Sequence, residues 1–255
     1  MGKIIVFSNQ KGGVGKTSSC INMSYSLASL GKKVLLIDMD PQGNATTGLG
    51  INKSGVKNSV YNVLIDEMPV QEAVIPTDID NLYLLPSSID LAGAEVELVY
   101  VKNREKRLAD AIKSIKRSYD YICIDCPPSL GLLTINALTA SDNLIIPIQC
   151  EYFALEGLSQ LMNSIKLVKK HLNAHLEITG VLLTMYDGRA LVSRQIADEI
   201  RGFFGEKVFK TVIPRNIRVS EAPSHGVPVM LHDAKSKGAK AYYDLTKEFL
   251  IKMEA

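Results

Sequence analysis

The chain has 255 residues, 46% of them apolar and 22% charged, with a formal net charge of +2; this balance excludes a disordered chain, a collagen-like repeat and a disulfide-stapled miniprotein. Tryptophan is absent and aromatics make up only 6%, which argues against a broad aromatic platform for carbohydrate or single-stranded nucleic acid. The length predicts one domain over residues 1–255, able to bury about 70–75% of its extended surface without a metal or disulfide staple.

In chain order, Ile4–Phe7 reads as a buried strand and Thr17–Leu30 as a helix with its apolar stripe at Cys20, Met23, Leu27 and Leu30. Gly31 closes that helix and Val34–Ile37 is the next strand, which makes a parallel strand–helix–strand unit. Residues 42–80, rich in Gly, Asn, Ser and Thr, predict loops and short helices over the site. Further strands are expected at Leu82–Leu85, Tyr121–Ile124, Leu144–Ile148, Thr179–Leu183 and Val208–Ile213. Helices are expected near 88–98, 104–117, 155–171, 190–203 and 236–252, the third with Leu155, Leu158, Met162, Ile165 and Val168 on one face. None of the strands alternates with polar residues. The predicted fold is therefore α/β, a twisted and mostly parallel sheet covered by helices on both faces.

Charge and cysteine add less. Residues 1–185 hold 17 Lys and Arg against 18 Asp and Glu, and 186–255 hold 12 against 9, a mild basic bias toward the C-terminus. Cys123 and Cys126 form a C-x-x-C, but no second pair completes a zinc site, and strand alternation points the two to opposite faces. Buried reduced thiols are expected, with His171 and His175 as surface residues. No run approaches the ~18 apolar residues of a membrane span, so a cytoplasmic location is expected.

The strongest signal is Gln10-Lys11-Gly12-Gly13-Val14-Gly15-Lys16-Thr17, directly after a strand and opening a helix. Gly12, Gly13 and Gly15 allow a tight backbone turn close to phosphates, and the helix N-terminus supplies N–H donors and a positive dipole end. Lys16 suits the charge between the β- and γ-phosphates, the Thr17 hydroxyl suits Mg²⁺, and Val14 and Ser18 complete the cradle. Asp38 and Asp40 end the second strand beside this loop, one to support Mg²⁺ indirectly and the other to orient the attacking water. Asp125, after the apolar strand Tyr121–Ile124, fits a Mg²⁺-holding role, and Cys126-Pro127-Pro128-Ser129 forms a stiff turn suited to sensing the γ-phosphate. ATP with Mg²⁺ is the expected cofactor pair.

The loop departs from the common pattern: position 10 is Gln, and Lys11 is an additional lysine at its start. The string K-G-G-V-G-K-T resembles the deviant Walker A loop of the ParA/MinD/nitrogenase-iron-protein class of P-loop ATPases. V-L-L-I-D-M-D-P-Q-G-N-A-T, I-D-C-P-P-S-L-G, L-T-M-Y-D-G-R and S-E-A-P-S-H-G-V-P narrow the resemblance to the chromosomal ParA (Soj) partition ATPases, over Lys3 to Leu250. The resemblance implies that Lys11 reaches across an ATP-sandwich homodimer to the partner's nucleotide. It implies Asp40 as the catalytic carboxylate, with Lys11 and Lys16, and Asp38 with Thr17 and Asp125 on the metal side. It makes the 214–218 segment an adenine-side loop, with Pro214, Arg215 and Asn216 as the base contacts and Met185 and Tyr186 as secondary candidates.

By the same resemblance the ATP dimer binds DNA without sequence preference, associates with the nucleoid, and is reset by hydrolysis that a ParB-type centromere-binding partner stimulates. Arg189, Arg218, Lys235, Lys237 and Lys240 are the candidate phosphate contacts. A MinD-like membrane ATPase is the rival reading, but the C-terminal stretch mixes acids with bases, and Leu245, Phe249 and Lys252 read as a helix docked on its own domain. No stable membrane association is expected. An iron–sulfur ATPase would need paired cysteines at the dimer axis, and Cys126 stands alone there.

Overall fold

In the computed structural model, residues 2–151 and 156–254 are described. The apolar runs become β1 (Lys3–Phe7), β2 (Val34–Asp38), β3 (Ile75–Pro76), β4 (Leu82–Leu85), β5 (Tyr121–Asp125), β6 (Asn143–Gln149) and β7 (Glu177–Thr184). They form one sheet in the order β3-β4-β2-β5-β1-β6-β7. Only β3 runs antiparallel, against β4; the other pairs are parallel. Between them lie α1 (Lys16–Ser29), α2 (Asn44–Gly48), α3 (Val60–Leu64), α4 (Val70–Ala73), α5 (Leu91–Glu97), α6 (Arg107–Ile112), α7 (Leu132–Ala140) and α8 (Glu156–His171). After β7 come α9 (Leu191–Phe204), α10 (Ile217–Glu221), α11 (Val229–His232) and α12 (Lys237–Glu254).

Strand alternation divides the core into two layers. Ile5, Phe7, Val34, Leu36 and Cys123 face α1 and α12, where Met23, Leu27, Tyr242, Leu245 and Phe249 complete one cluster. Ile4, Val6, Leu35, Ile37, Ile122 and Ile124 face the other way, with Leu133, Leu161 and Ile165 of α7 and α8. Cys123 and Cys126 fall in opposite layers, and all four cysteines are free and buried. Burial pushes the Cys123 thiol up to about 12, so it is an inert apolar filler.

The predicted helices at 88–98 and 104–117 are shorter than expected, ending in 3₁₀ turns at Leu98–Tyr100 and Lys116–Ser118. Helix α8 matches its prediction, with Leu158, Ile165 and Val168 buried and Met162 half-buried, while Leu155 lies outside the described residues. Helix α7 was not expected. Its sequence, LLTINALTA, has no polar stripe because much of its circumference is buried, which removes the periodic signal.

The strand expected at Val208–Ile213 does not form. Phe209 donates to the Val181 carbonyl at 2.9 Å and Ile213 to the Leu183 carbonyl at 2.8 Å. Four residues on this segment thus span two on β7, and the chain bulges away between the two bonds. The bulge's free amides, Lys210 and Thr211, donate instead to the Glu248 carboxylate of α12 at 2.7 and 2.8 Å.

The register prepares the site. Asp125 pairs with Phe7 on one side and with Asp38 on the other. The ends of β1, β2 and β5 therefore meet at one sheet edge, with the glycine loop leaving from β1. In open α/β sheets this carboxyl edge is where ligands bind.

Candidate nucleotide site

The loop between β1 and α1 has Gly13 at φ 73° and Gly15 at φ 84°. A Cβ on Gly13 would meet nothing within 4 Å, so the left-handed backbone, not crowding, is what calls for glycine there. No side chain caps α1 and no acid sits in its first turn, leaving N–H groups and a positive dipole end for an anion. Thr184 at the end of β7 donates to the Val14 carbonyl at 2.9 Å and pins the loop, while buried Val14 wedges beneath it.

A cavity of about 420 Å³ opens on this loop. Gly12, Gly13, Gly15, Lys16, Thr17 and Ser18 line it, with Asp40, Pro128 and Met185 across from them. Gln42 and Asn44 also line it and were not among the predicted site residues, although they follow Asp40 in D-P-Q-G-N. Lys16 is 6% exposed, and its Nζ donates to the Lys11 carbonyl at 3.0 Å. Burial draws its pKa down, while Asp125, Cys126 and Asp40 hold it partly up.

The carboxylates divide by their partners. Asp125 is fully buried and neither of its oxygens receives a hydrogen bond. Burial, then the charges of Asp38 and Asp40, push its pKa well up; the nearby Thr17 hydroxyl and Lys16 ammonium offset part of this. An orphaned buried carboxylate is costly without a compensating cation, and this one fits a magnesium ion or its waters. Among the described residues no group of three or more His, Cys, Asp and Glu side chains forms a metal cage, so the fit is to an ion that takes most of its ligands from water and phosphate, as Mg²⁺ does.

Asp38 is engaged differently. Its Oδ2 accepts both the amide and the hydroxyl of Thr46 at 2.7 Å, and its Oδ1 accepts the Asp40 amide at 3.2 Å. Burial still raises its pKa to about 6, against the lowering effect of those bonds. Its oxygens thus hold the loop that follows β2. Asp40 is 6% exposed, accepts the Gln42 amide at 2.9 Å through Oδ1, and reaches the cavity.

Lys11 does not line the cavity of its own chain. Its half-buried side chain ends 4.0 Å from Glu151. Of the adenine-side candidates, Met185 lines the cavity with φ 50°. Pro214 pairs with Tyr186 through a backbone bridge beside it. Arg215 reaches Glu151 at 3.3 Å, and Asn216 caps α10 by accepting the Arg218 amide at 3.0 Å; neither lines the cavity.

The basic candidates separate into two places. Arg189 is 92% exposed on the loop after β7 and pairs with Asp187 at 3.1 Å. Arg218 on α10 pairs with Glu221 at 2.9 Å and with Asp233 at 3.5 Å. Lys235, just before α12, and Lys237 and Lys240 in its first turn are exposed. Gly238 lets α12 pack close to α10, since a Cβ there would overlap Val219, and so brings Arg218 and the lysines to one place apart from Arg189.

Residues 2–178 match the family model described as an AAA domain. The chain is 58% identical over 248 residues to the sporulation initiation inhibitor protein Soj of Bacillus subtilis, covering 97% of this chain and 98% of that protein. It is 53% identical to the chromosome partitioning protein ParA of Myxococcus xanthus, covering 98% and 88%. Among solved structures, cobyrinic acid a,c-diamide synthase from Mycobacterium smegmatis, with bound ADP and magnesium, superposes with a TM-score of 0.89 at 36% identity, covering 100% of this chain and 96% of that one. The cell division ATPase MinD of Pyrococcus furiosus gives a TM-score of 0.81 at 31% identity, covering 100% of both chains.

Proposed function

Because this chain belongs to the Soj/ParA family of chromosome-partitioning ATPases, we propose that ATP binding in the cavity of the glycine loop assembles a homodimer that holds DNA without sequence preference. The chain is an ATPase that uses ATP and Mg²⁺. Supporting the site assignment above all is the uncapped start of α1 beside a buried lysine and an unpaired buried aspartate. Mg²⁺, when bound, neutralises charge on the phosphate oxygens. The amides of residues 13–18 and the Lys16 ammonium bind and orient the triphosphate, Thr17 and Asp125 would hold the ion directly or through water, and Asp38 fixes the Asp40 loop from behind. Asp40 orients the attacking water toward the γ-phosphate. Met185 and Pro214 border the base, with Arg215 and Asn216 on its outer side.

Lys11 completes the partner's site in this scheme, which accounts for a lysine that leaves its own cavity. Lys11→Ala is expected to keep nucleotide binding within about threefold yet lose ATP-driven dimerisation, because the deleted charge acts on the other subunit's phosphates. Sedimentation velocity with ATP checks this. Wild-type dimerisation by the variant would remove the trans role.

DNA binding follows from pairing two weak basic surfaces. Each subunit offers Arg218, Lys235, Lys237 and Lys240 in one group and Arg189 apart, so a dimer presents twice the phosphate contacts of a monomer. Log affinity falls with log salt by roughly 0.9 per neutralised phosphate on duplex DNA, so the ATP state is expected to show the steeper slope in fluorescence anisotropy on a random duplex. Arg218→Glu is expected to weaken binding about tenfold or more while dimerisation persists. Equal slopes with ADP and ATP, or full binding by Arg218→Glu, would overturn the interface.

Hydrolysis, stimulated by a ParB-type partner, then separates the subunits and releases them from the nucleoid. The membrane alternative is disfavoured by the C-terminal helix: Tyr242, Leu245 and Phe249 are buried on the body, and Lys252 donates to the Glu206 carbonyl at 2.9 Å. No helix among the described residues is long and apolar enough to cross a membrane.

A further inference from the structure

The stretch 86–97, from the end of β4 through α5, places no side chain in the cavity lining, yet it holds both loops that face the phosphates. At its start the fully buried Ser87 hydroxyl donates to the Asp40 carbonyl at 2.7 Å. The Ser87 amide donates at 3.0 Å to the Thr46 hydroxyl, which in turn donates to Asp38. At its other end Glu95 accepts the Leu132 amide at 2.8 Å and the Leu133 amide at 3.3 Å. An anion there caps the first turn of α7, directly after the Cys126–Gly131 turn. Gly131 makes the contact possible, because a Cβ on it would overlap the Glu95 carboxylate. Between the two ends, Leu91 and Ala94 are fully buried and fix α5 to the core.

We propose that residues 86–97 form a brace that couples the Asp40 loop to the 126–131 turn, with Ser87 and Glu95 as positioning residues for hydrolysis. The proposal rests on the reading of Asp40 as the water-orienting carboxylate. In water a lost hydroxyl bond is replaced; at Ser87, with no exposure, the Asp40 carbonyl would lose that donor and keep only the Gly43 amide at 2.8 Å. A shift in either loop is passed to the other through a short helix anchored in the core by Leu91 and Ala94, so the loops reach the hydrolytic arrangement together. Loss of hydrogen bonds that served folding alone would lower stability without linking the two sites.

A double-mutant cycle separates these cases. Steady-state phosphate release is measured for wild type, Ser87→Ala, Glu95→Ala and the double variant, beside ATP-analogue binding. Each single variant is expected to lose about tenfold in kcat, with KM and nucleotide affinity within about threefold. The double variant is expected to fall no more than about threefold below the worse single, against the roughly hundredfold total loss of independent effects. Ser87→Thr, which keeps the hydroxyl, is expected to recover most of the rate.

Hydrogen exchange gives a second readout that survives a failure of Ser87→Ala to fold. In Glu95→Ala the amides of residues 40 and 42–46, to which Glu95 makes no hydrogen bond, are expected to exchange about tenfold faster. Multiplicative kcat losses, unchanged kcat in either single variant, or unchanged exchange at these amides would overturn the brace. Asp40→Ala is the separating control. Wild-type hydrolysis by Asp40→Ala overturns the role of Asp40 itself; an inactive Asp40→Ala beside fully active single variants overturns the brace alone.

Discussion

Lys16→Ala is expected to lose tight nucleotide binding, with the Kd for Mg-ATP rising by about thirtyfold to several thousandfold, equivalent to about 2–5 kcal/mol. The magnitude follows from where the ammonium sits. It is buried against the loop, with a carbonyl as its hydrogen-bond partner and, among the described residues, no acid within ion-pairing distance. Burial already lowers its pKa, so a triphosphate supplies the counter-charge that the free site withholds. Truncation removes the strongest cation from the cradle and leaves the phosphates to the backbone amides. Titration calorimetry measures the loss directly. The thermal midpoint gives an independent check, since Mg-ATP is expected to raise it for wild type and much less for the variant at the same concentration. Affinity within threefold of wild type would remove Lys16 from the phosphate contacts.

Asp40→Ala is expected to separate binding from turnover. Its kcat is expected to fall by about 10²–10⁴, the range for removing a group that positions or deprotonates a nucleophile, while nucleotide affinity stays within about threefold. The phosphate cradle is untouched by this change. The loop backbone keeps the Asp38–Thr46 bonds and the Ser87 contact to the residue 40 carbonyl, and loses only the side-chain bond to the Gln42 amide. The ATP-bound species should therefore accumulate as a dimer that stays on DNA, measurable by single-turnover phosphate release beside sedimentation. Unchanged phosphate release would move the water-orienting role to another residue.

Much of this site is legible in the sequence because its parts are local. A strand, three glycines, a lysine and a helix start lie within fifteen residues, and each requirement of a phosphate cradle maps to one residue type. The apolar strands were legible for a related reason: burial on both faces removes polar alternation, and β-branched residues mark what remains. What stayed hidden depends on distant pairings. Ser87 meets Asp40 across 47 positions and Glu95 meets Leu132 across 37; in sequence one is a serine in a turn and the other a charge on a short helix. Asp38 and Asp40 look equivalent until Thr46 folds back onto the first. Val208–Ile213 has the composition of a strand, and only the spacing of its two bonds to β7 shows why it is not one.

The two borders of the sheet bear on how many copies can assemble. On one side the 208–214 segment lies along β7, and Glu248 occupies the amides that its bulge frees. On the other, β3 is two residues long and ends in Pro76, which has no amide hydrogen to offer. Neither border presents the row of open donors and acceptors that lets one molecule template the next through edge-to-edge strand addition. Raising the local concentration of these molecules is therefore not expected to seed cross-β filaments through the edges of the sheet.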